Sequence, residues 1–439
     1  MAGRAVGRRL AAWLAAAVVA GCGGGGGSSN PGSDSCDVAS QNVWLQAYMN
    51  DRYFWAGIAP SPDPSGYDSV ESYFEALLYP GDGVTSADRW SYITDSESYN
   101  RFFGDGMTLG YGVFVNGLEA TLPLKLRYVE PLSPAAAAGL RRGDEIVAIN
   151  GRSAAEVVAA DDYTMLSPTA EGELLTLEVR QGGLPRTVQL AAAIYALVPV
   201  PVSTVFTLPS GSKAGYLMLK DFVTQAEAPL TTAIAEIRQQ GATELILDLR
   251  YNGGGRVSTA NVLASLVAGA SNNGEVFTRL RYNAKNAASN TDFVLANGSG
   301  AAFSRVIVLT GARTCSASEM LVNGLKPHVQ VVTLGGTTCG KPYGFNPVQS
   351  CGSTFSAVNF ETVNALGEGG YVDGISANCG VADDFSGELG DATEKLAAAA
   401  QGYLSSGVCP AVSDGRTSGF GARRGLRDVP GERLDRRAQ

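Results

Sequence analysis

A single histidine, His328, serves the whole 439-residue chain. That scarcity leaves little room for a histidine-built metal site or for histidine as the base beside a nucleophile. No Cys-x-x-Cys pair occurs, so a zinc-ribbon pattern is missing too. The glycine loop from Asp248 to Gly255 lacks the Gly-Lys-Ser/Thr ending that a phosphate cradle needs. Beyond residue 20, no stretch reaches the ~18 apolar residues of a membrane helix. Charge is sparse as well. Charged residues make up 17% and hydrophobic ones 45%, a globular balance without wholesale disorder. The net charge of −9 sits in an acidic body between two short Arg-bearing ends, which argues against nucleic acid as a partner.

What is present begins with an address. Arg4, Arg8 and Arg9 precede the apolar stretch Leu10 to Ala20, too short to span a membrane stably. It closes on Val-Ala-Gly-Cys, Val19 to Cys22, which resembles the lipobox of bacterial lipoproteins. The resemblance implies a signal peptide over 1–22, a lipidated Cys22, and a protein exported and anchored to a bacterial membrane on its periplasmic side. Residues 23–36, rich in Gly and Ser, read as a tether. Six cysteines remain: Cys36, Cys315, Cys339, Cys351, Cys379 and Cys409. An even number in an exported chain predicts disulfides, and the expected pairs are Cys315–Cys339, Cys351–Cys379 and Cys36–Cys409. The first would tie the residue before Ser316 to one just ahead of Lys341.

The body divides into segments. Residues 37–104 read as an aromatic, mostly helical module, with helices around Val43 to Ala56 and Tyr67 to Leu78. Residues 105–195 contain a short helix, a Gly-Asp turn and a strand ending in Asn-Gly, from Ser133 to Gly151. That run resembles a PDZ domain, and Leu109, Gly110, Tyr111 and Gly112 match its loop that captures a peptide's terminal carboxylate by backbone N–H groups. Residues 196–410 alternate strand and helix, the pattern of an α/β-layered domain. The Arg-rich segment 411–439 reads as a disordered tail. The expected fold is therefore α/β (α+β) and multidomain: a helical module, a PDZ domain and an α/β core.

Chemistry concentrates in the core. Ser316 opens Ser-Ala-Ser-Glu, and Lys341 follows 25 residues later in Gly-Lys-Pro-Tyr-Gly-Phe. Ser-x-x-Glu before an apolar run is also a capping box. The buried-strand pattern Arg305 to Gly311 just ahead of it sets Ser316 at a strand-to-helix turn, where helix N–H groups favour a developing oxyanion. A lysine serves as base when burial lowers its pKa. From about 10.4 the drop needed is roughly 3 units, some 4–5 kcal/mol, and Tyr343 and Phe345 offer an apolar wall.

In order, the PDZ stretch, Asp-Leu-Arg-x-Asn-x-Gly-Gly, Ser-Ala-Ser-Glu and the spaced Gly-Lys resemble the carboxyl-terminal processing (tail-specific) serine proteases. By that resemblance Ser316 is the nucleophile and Lys341 the general base. Gly254 and the Ala317 N–H form the oxyanion hole, no metal or cofactor is used, and substrates are proteins or peptides with free C-termini. One position departs. Many members carry glutamine four residues after the lysine to orient it; here that residue is Phe345, and Gln349 is shifted by four. A non-catalytic peptide- or ligand-binding protein on the same fold is the competing reading. A Ser316–His328 pair is a weaker one, since no carboxylate lies near His328 in sequence.

Overall fold

The computed structural model describes residues 35–119, 121–296 and 298–411. The leader, Cys22 and most of the tether and tail lie outside them. No described helix is long and apolar enough to cross a membrane.

Helix Val38–Arg52 is capped by Asp37, whose side chain accepts the Ser40 N–H, and helix Val70–Leu77 is capped in the same way by Ser69. Their inner faces and the following loops build an aromatic core from Tyr53, Trp55, Tyr73, Phe74 and Trp90. This core is shared with Phe355 and Tyr343 from far along the chain. The helical reading of 37–104 missed one element: strand Tyr92–Asp95 pairs antiparallel with Ser353–Ser356, joining the N-terminal module to the rest of the molecule.

The PDZ segment forms a sheet in the order Val113–Val115, Leu124–Val129, Glu145–Ile149, Leu174–Gln181, Leu184–Ala191. It surrounds its own core of Val115, Leu126, Ile149, Leu175 and Leu177. The Asn-Gly read from sequence makes the turn between Glu145–Ile149 and Arg152–Ser153, with φ of 47° at Asn150 and 80° at Gly151. Two consecutive positive φ values are what a two-residue type I′ hairpin requires.

The core is a six-stranded sheet in the order Val202–Thr207, Lys213–Met218, Glu244–Asp248, Arg305–Thr310, Gln330–Gly335, Cys379–Gly380, and every pair after the first is parallel. Alternate side chains serve opposite faces. Leu217, Leu245, Leu247, Val306 and Val308 pack under helices Glu227–Gln239, Val257–Ala268 and Ala317–Leu325. Tyr216, Ile246, Ile307 and Leu309 pack under helix Lys395–Ser406 and against Tyr128 of the PDZ domain. Burial on both faces explains the continuous apolar runs of these strands. Such a sheet presents its chemistry at the carboxyl ends of its strands, which is where Asp248 and Thr310 lead.

All six expected cysteines are disulfide-bonded, but two of the three pairings differ from expectation. Cys315–Cys339 is present; the others are Cys36–Cys351 and Cys379–Cys409, not Cys351–Cys379 and Cys36–Cys409. Cys351 sits at the tip of the hairpin joining Val348–Ser350 to Ser353–Ser356, the strand that pairs with the N-terminal module, so Cys36 comes to it. Cys379 starts the last strand of the core sheet, and Cys409 follows the helix covering that sheet. Sheet order decides the partners, and the spacing of cysteines does not reveal sheet order.

Candidate active site

Ser316 stands between strand Arg305–Thr310 and helix Ala317–Leu325 with φ 55° and ψ −115°. A β-carbon makes that conformation costly, on the order of 1–3 kcal/mol, and such strain persists only where the surroundings enforce it. They do so here through fully buried Asn252, whose carbonyl accepts from Cys315 N–H at 3.1 Å and from Ser318 Oγ at 3.0 Å. Thr314 Oγ1 adds a bond to the Leu249 carbonyl at 2.8 Å.

The glycine loop presses against this turn. A β-carbon on Gly254, whose φ is 115°, would lie 2.8 Å from Ser316 Cβ; one on Gly255 would lie 2.3 Å from the Phe222 carbonyl oxygen. Close approach is the reason for both glycines. The donors are arranged differently from expectation. The Gly254 N–H donates to Asn252 Oδ1 at 2.8 Å and is already engaged. Gly255 and Ala317 line the cleft beside Ser316, and among the described residues neither of their N–H groups has an acceptor. The loop is anchored from behind. Arg250 makes paired bonds to Glu394 at 2.7 and 2.9 Å and a third to Asp248 at 3.0 Å, and Tyr216 donates to Asp248 at 2.6 Å.

Lys341 lines the same cleft, a cavity of about 300 Å³, with its side chain 1% exposed. Burial pushes its amine down to about 7, against the opposing pull of Asp88 and Glu319. Its Nζ lies 4.0 Å from the Phe345 ring centroid and 5.7 Å from that of Trp90. Among the described residues no oxygen accepts a hydrogen bond from Nζ, Ser316 Oγ included. Catalytic hydrogen bonds in empty sites commonly form only on substrate binding.

The turn that carries Ser316 and the loop that carries Lys341 are tied by Glu319, the glutamate of the Ser-Ala-Ser-Glu run. Its buried carboxylate accepts from Ser316 N–H at 3.0 Å, Lys341 N–H at 2.8 Å, Gly340 N–H at 2.8 Å and Thr338 Oγ1 at 2.5 Å. Burial raises its pKa while these donors oppose the rise. The sequence identified it only as a cap. Asn252, Asp88 and Trp90 were not identified at all; Asn252 had a position in the glycine-loop motif, whereas the other two reach the site only through tertiary packing. Cys315 and Cys339 lie beside Glu319, a grouping of metal-ligand types, but the two sulfurs are bonded to each other. His328 Nε2 is hydrogen-bonded with the Val276 carbonyl at 2.9 Å and lines no part of this cleft.

In the PDZ domain, Leu109 and Gly110 end strand Met107–Gly110, and Tyr111 is buried. Gly112 has φ 80°, and a β-carbon there would lie 2.0 Å from Ser133 Oγ. The Tyr111 and Gly112 carbonyls accept from Ala135 N–H at 2.9 Å and Glu130 N–H at 3.0 Å. Strand Val113–Val115, which follows, lies at the edge of its sheet.

Comparison with known proteins agrees with this domain order. Residues 213–369 match the model of Peptidase family S41, residues 40–92 that of the Peptidase S41 N-terminal domain, and residues 126–181 that of a PDZ domain. A carboxyl-terminal-processing protease of Synechocystis is 28% identical over 303 residues, covering 69% of this chain and 66% of the relative. This chain spans 50 to 66% of the length of the first curated relatives it matches. Among solved structures, one assigned as an S41 protease of Bacteroides fragilis superposes with a TM-score of 0.66 at 25% identity, over 83% of this chain and 97% of that one. The photosystem II D1 C-terminal processing protease shares the fold at a TM-score of 0.53 and 19% identity, with 83 and 97% covered. Along the chain, segments similar to the Peptidase S41 N-terminal domain, a PDZ domain and Peptidase family S41 thus follow one another, and the curated relatives it resembles are carboxyl-terminal-processing proteases.

Proposed function

We propose that this protein is a serine endopeptidase of the carboxyl-terminal processing kind, working through Ser316 and Lys341. The observation that carries the reading is the pairing in one cleft of a strained serine with a buried lysine held near pH 7. The neutral amine takes the Oγ proton as Oγ attacks the substrate carbonyl carbon. The oxyanion is received by the N–H groups of Gly255 and Ala317. As the C–N bond breaks, the ammonium returns that proton to the leaving amine. Water, deprotonated by the same lysine, then attacks the acyl carbon. The bond from that carbon to Ser316 Oγ breaks, the ammonium returns its proton to Oγ, and the acyl group leaves as a carboxylic acid that ionises. Apart from that water and the substrate, these steps use only groups of the chain itself.

The edge strand Val113–Val115, next to the Leu109 to Gly112 loop, supports capture of a substrate C-terminus by strand addition. Export and a lipid anchor at Cys22 complete the proposal; Cys22→Ser should move the protein from the membrane to the soluble fraction, and unchanged membrane association would remove the anchor from it. For the chemistry, casein degradation and fluorophosphonate labelling are compared in wild type, Ser316→Ala and Lys341→Ala. Both variants should fold and lose cleavage by at least about 1000-fold. Full activity in either ends the proposal.

A binding protein without catalysis is the second reading, favoured by Phe345 at the glutamine position and by an Nζ with no hydrogen bond to Ser316. It requires that the wild-type serine resist the phosphonate even at pH 9 and that casein survive intact.

A further inference from the structure

Lys341 has two carboxylates for neighbours, and neither holds its amine. Asp88 accepts from Tyr53 Oη at 2.7 Å, Ser91 Oγ at 2.5 Å, Trp90 N–H at 2.8 Å and Ser91 N–H at 3.0 Å. Glu319 is occupied by its four donors on the two loops. Both act on the lysine through space only. What meets the amine at close range is two aromatic rings, with centroids 4.0 and 5.7 Å from Nζ.

We infer that Phe345 and Trp90 are positioning residues: their rings form a cage that aims the Lys341 amine into the cleft and holds its ammonium after proton transfer. A ring face attracts a cation and is nearly indifferent to a neutral amine. The cage therefore acts most strongly once the proton has left Ser316, which is when support lowers the barrier. The cage is itself fixed. Phe345 ends strand Tyr343–Phe345, paired with Val358–Val363, and meets Tyr92 edge-on at 5.7 Å. Trp90 is held through its N–H by Asp88 and lies under the Arg89 guanidinium at 4.7 Å. Trp90 and Tyr92 belong to the N-terminal module, so that module completes the base site. The inference rests on Lys341 being the base.

The titratable groups around the amine are Asp88 and Arg89 from the N-terminal module, Glu319 from helix Ala317–Leu325, Tyr343 from the neighbouring strand, and Arg256 across the cleft. None is altered by the test variants Phe345→Leu, Trp90→Leu and Phe345→Tyr. Leucine keeps the site dry and removes the ring. The acid limb of kcat/KM should then move about half a unit to one unit toward acid, and the plateau should fall roughly tenfold. Phe345→Tyr keeps the ring face and should reproduce the wild-type midpoint, which a purely structural role for Phe345 does not require. Circular dichroism verifies folding, and NMR titration of the Lys341 amine follows its midpoint without turnover. Unchanged midpoint and plateau in both leucine variants overturn the cage, as does a tyrosine variant that folds yet behaves like leucine. Failure of the base reading looks different: the amine titration shifts as expected, yet Lys341→Ala still cleaves.

Discussion

At the scale of single residues, the site combines two positions that each cost stability. Lys341 is charged in the unfolded chain up to its ordinary range near 10.5 and only up to about 7 when folded. Between those values the unfolded state binds the extra proton, so stability rises with pH across the window, and below pH 7 the full penalty is present. A drop of that size corresponds to roughly 4–5 kcal/mol. Lys341→Met is therefore expected to be inactive and to melt several degrees higher than wild type at pH 6, with the gap narrowing toward pH 10. Equal melting temperatures across that range, followed by calorimetry, would show that the amine is not desolvated. That Ser316 and Lys341 line one cleft was legible from their spacing; the roles assigned to them rest on the proposal. Glu319 was half legible, since one motif serves both as a cap and as a tie between two loops. Trp90 and Asp88 carried no local signal: a ring 251 residues before the lysine becomes its neighbour only through folding.

Among the elements, the Ser316 turn and the Lys341 loop are joined twice, by the Glu319 carboxylate and by Cys315–Cys339, with Cα atoms 5.2 Å apart. The disulfide closes a short segment, 24 residues, and its removal costs about 3 kcal/mol in a chain-entropy account. Its larger effect is on geometry, because misplacement by about 1 Å can cost on the order of 100-fold in rate. The double variant Cys315→Ser/Cys339→Ser should lower kcat far more than it raises KM while remaining folded; a fall in melting temperature with kcat unchanged would make the bond a plain staple. Strands and helices of the core were readable from apolar runs and helical periodicity, and the Asn150–Gly151 turn from residue type alone. Strand Tyr92–Asp95 was not, since its four residues run directly into helix Ser96–Phe103 and gain their pairing from a hairpin more than 250 residues away. The two mistaken disulfides have the same origin.

For the whole molecule, the PDZ domain and the core are locked by buried charge. Arg142 of the PDZ domain bonds the Tyr251 hydroxyl, Asp383 at 2.6 Å and the Gly387 carbonyl at 3.1 Å. Burial opposes ionisation of Asp383, yet Arg250 and Arg142 hold its carboxyl well below the usual range. Tyr251 and Arg250 belong to the glycine loop, and Arg250 in turn ends on Glu394, at the cap of the last described helix. The site thus draws on widely separated parts of the described chain, from Trp90 beside the Lys341 amine to Glu394 behind the glycine loop. Contacts of such long separation form late, after the costs of loop closure have been met. A growing chain has its serine long before it has the carboxylate that steadies the glycine loop. A version halted at residue 390 should leave Ser316 unlabelled by fluorophosphonate even where the PDZ domain is folded; efficient labelling would refute this. On the proposed reading, synthesis itself then acts as a safety catch, withholding a working cleft until helix Lys395–Ser406 has been added.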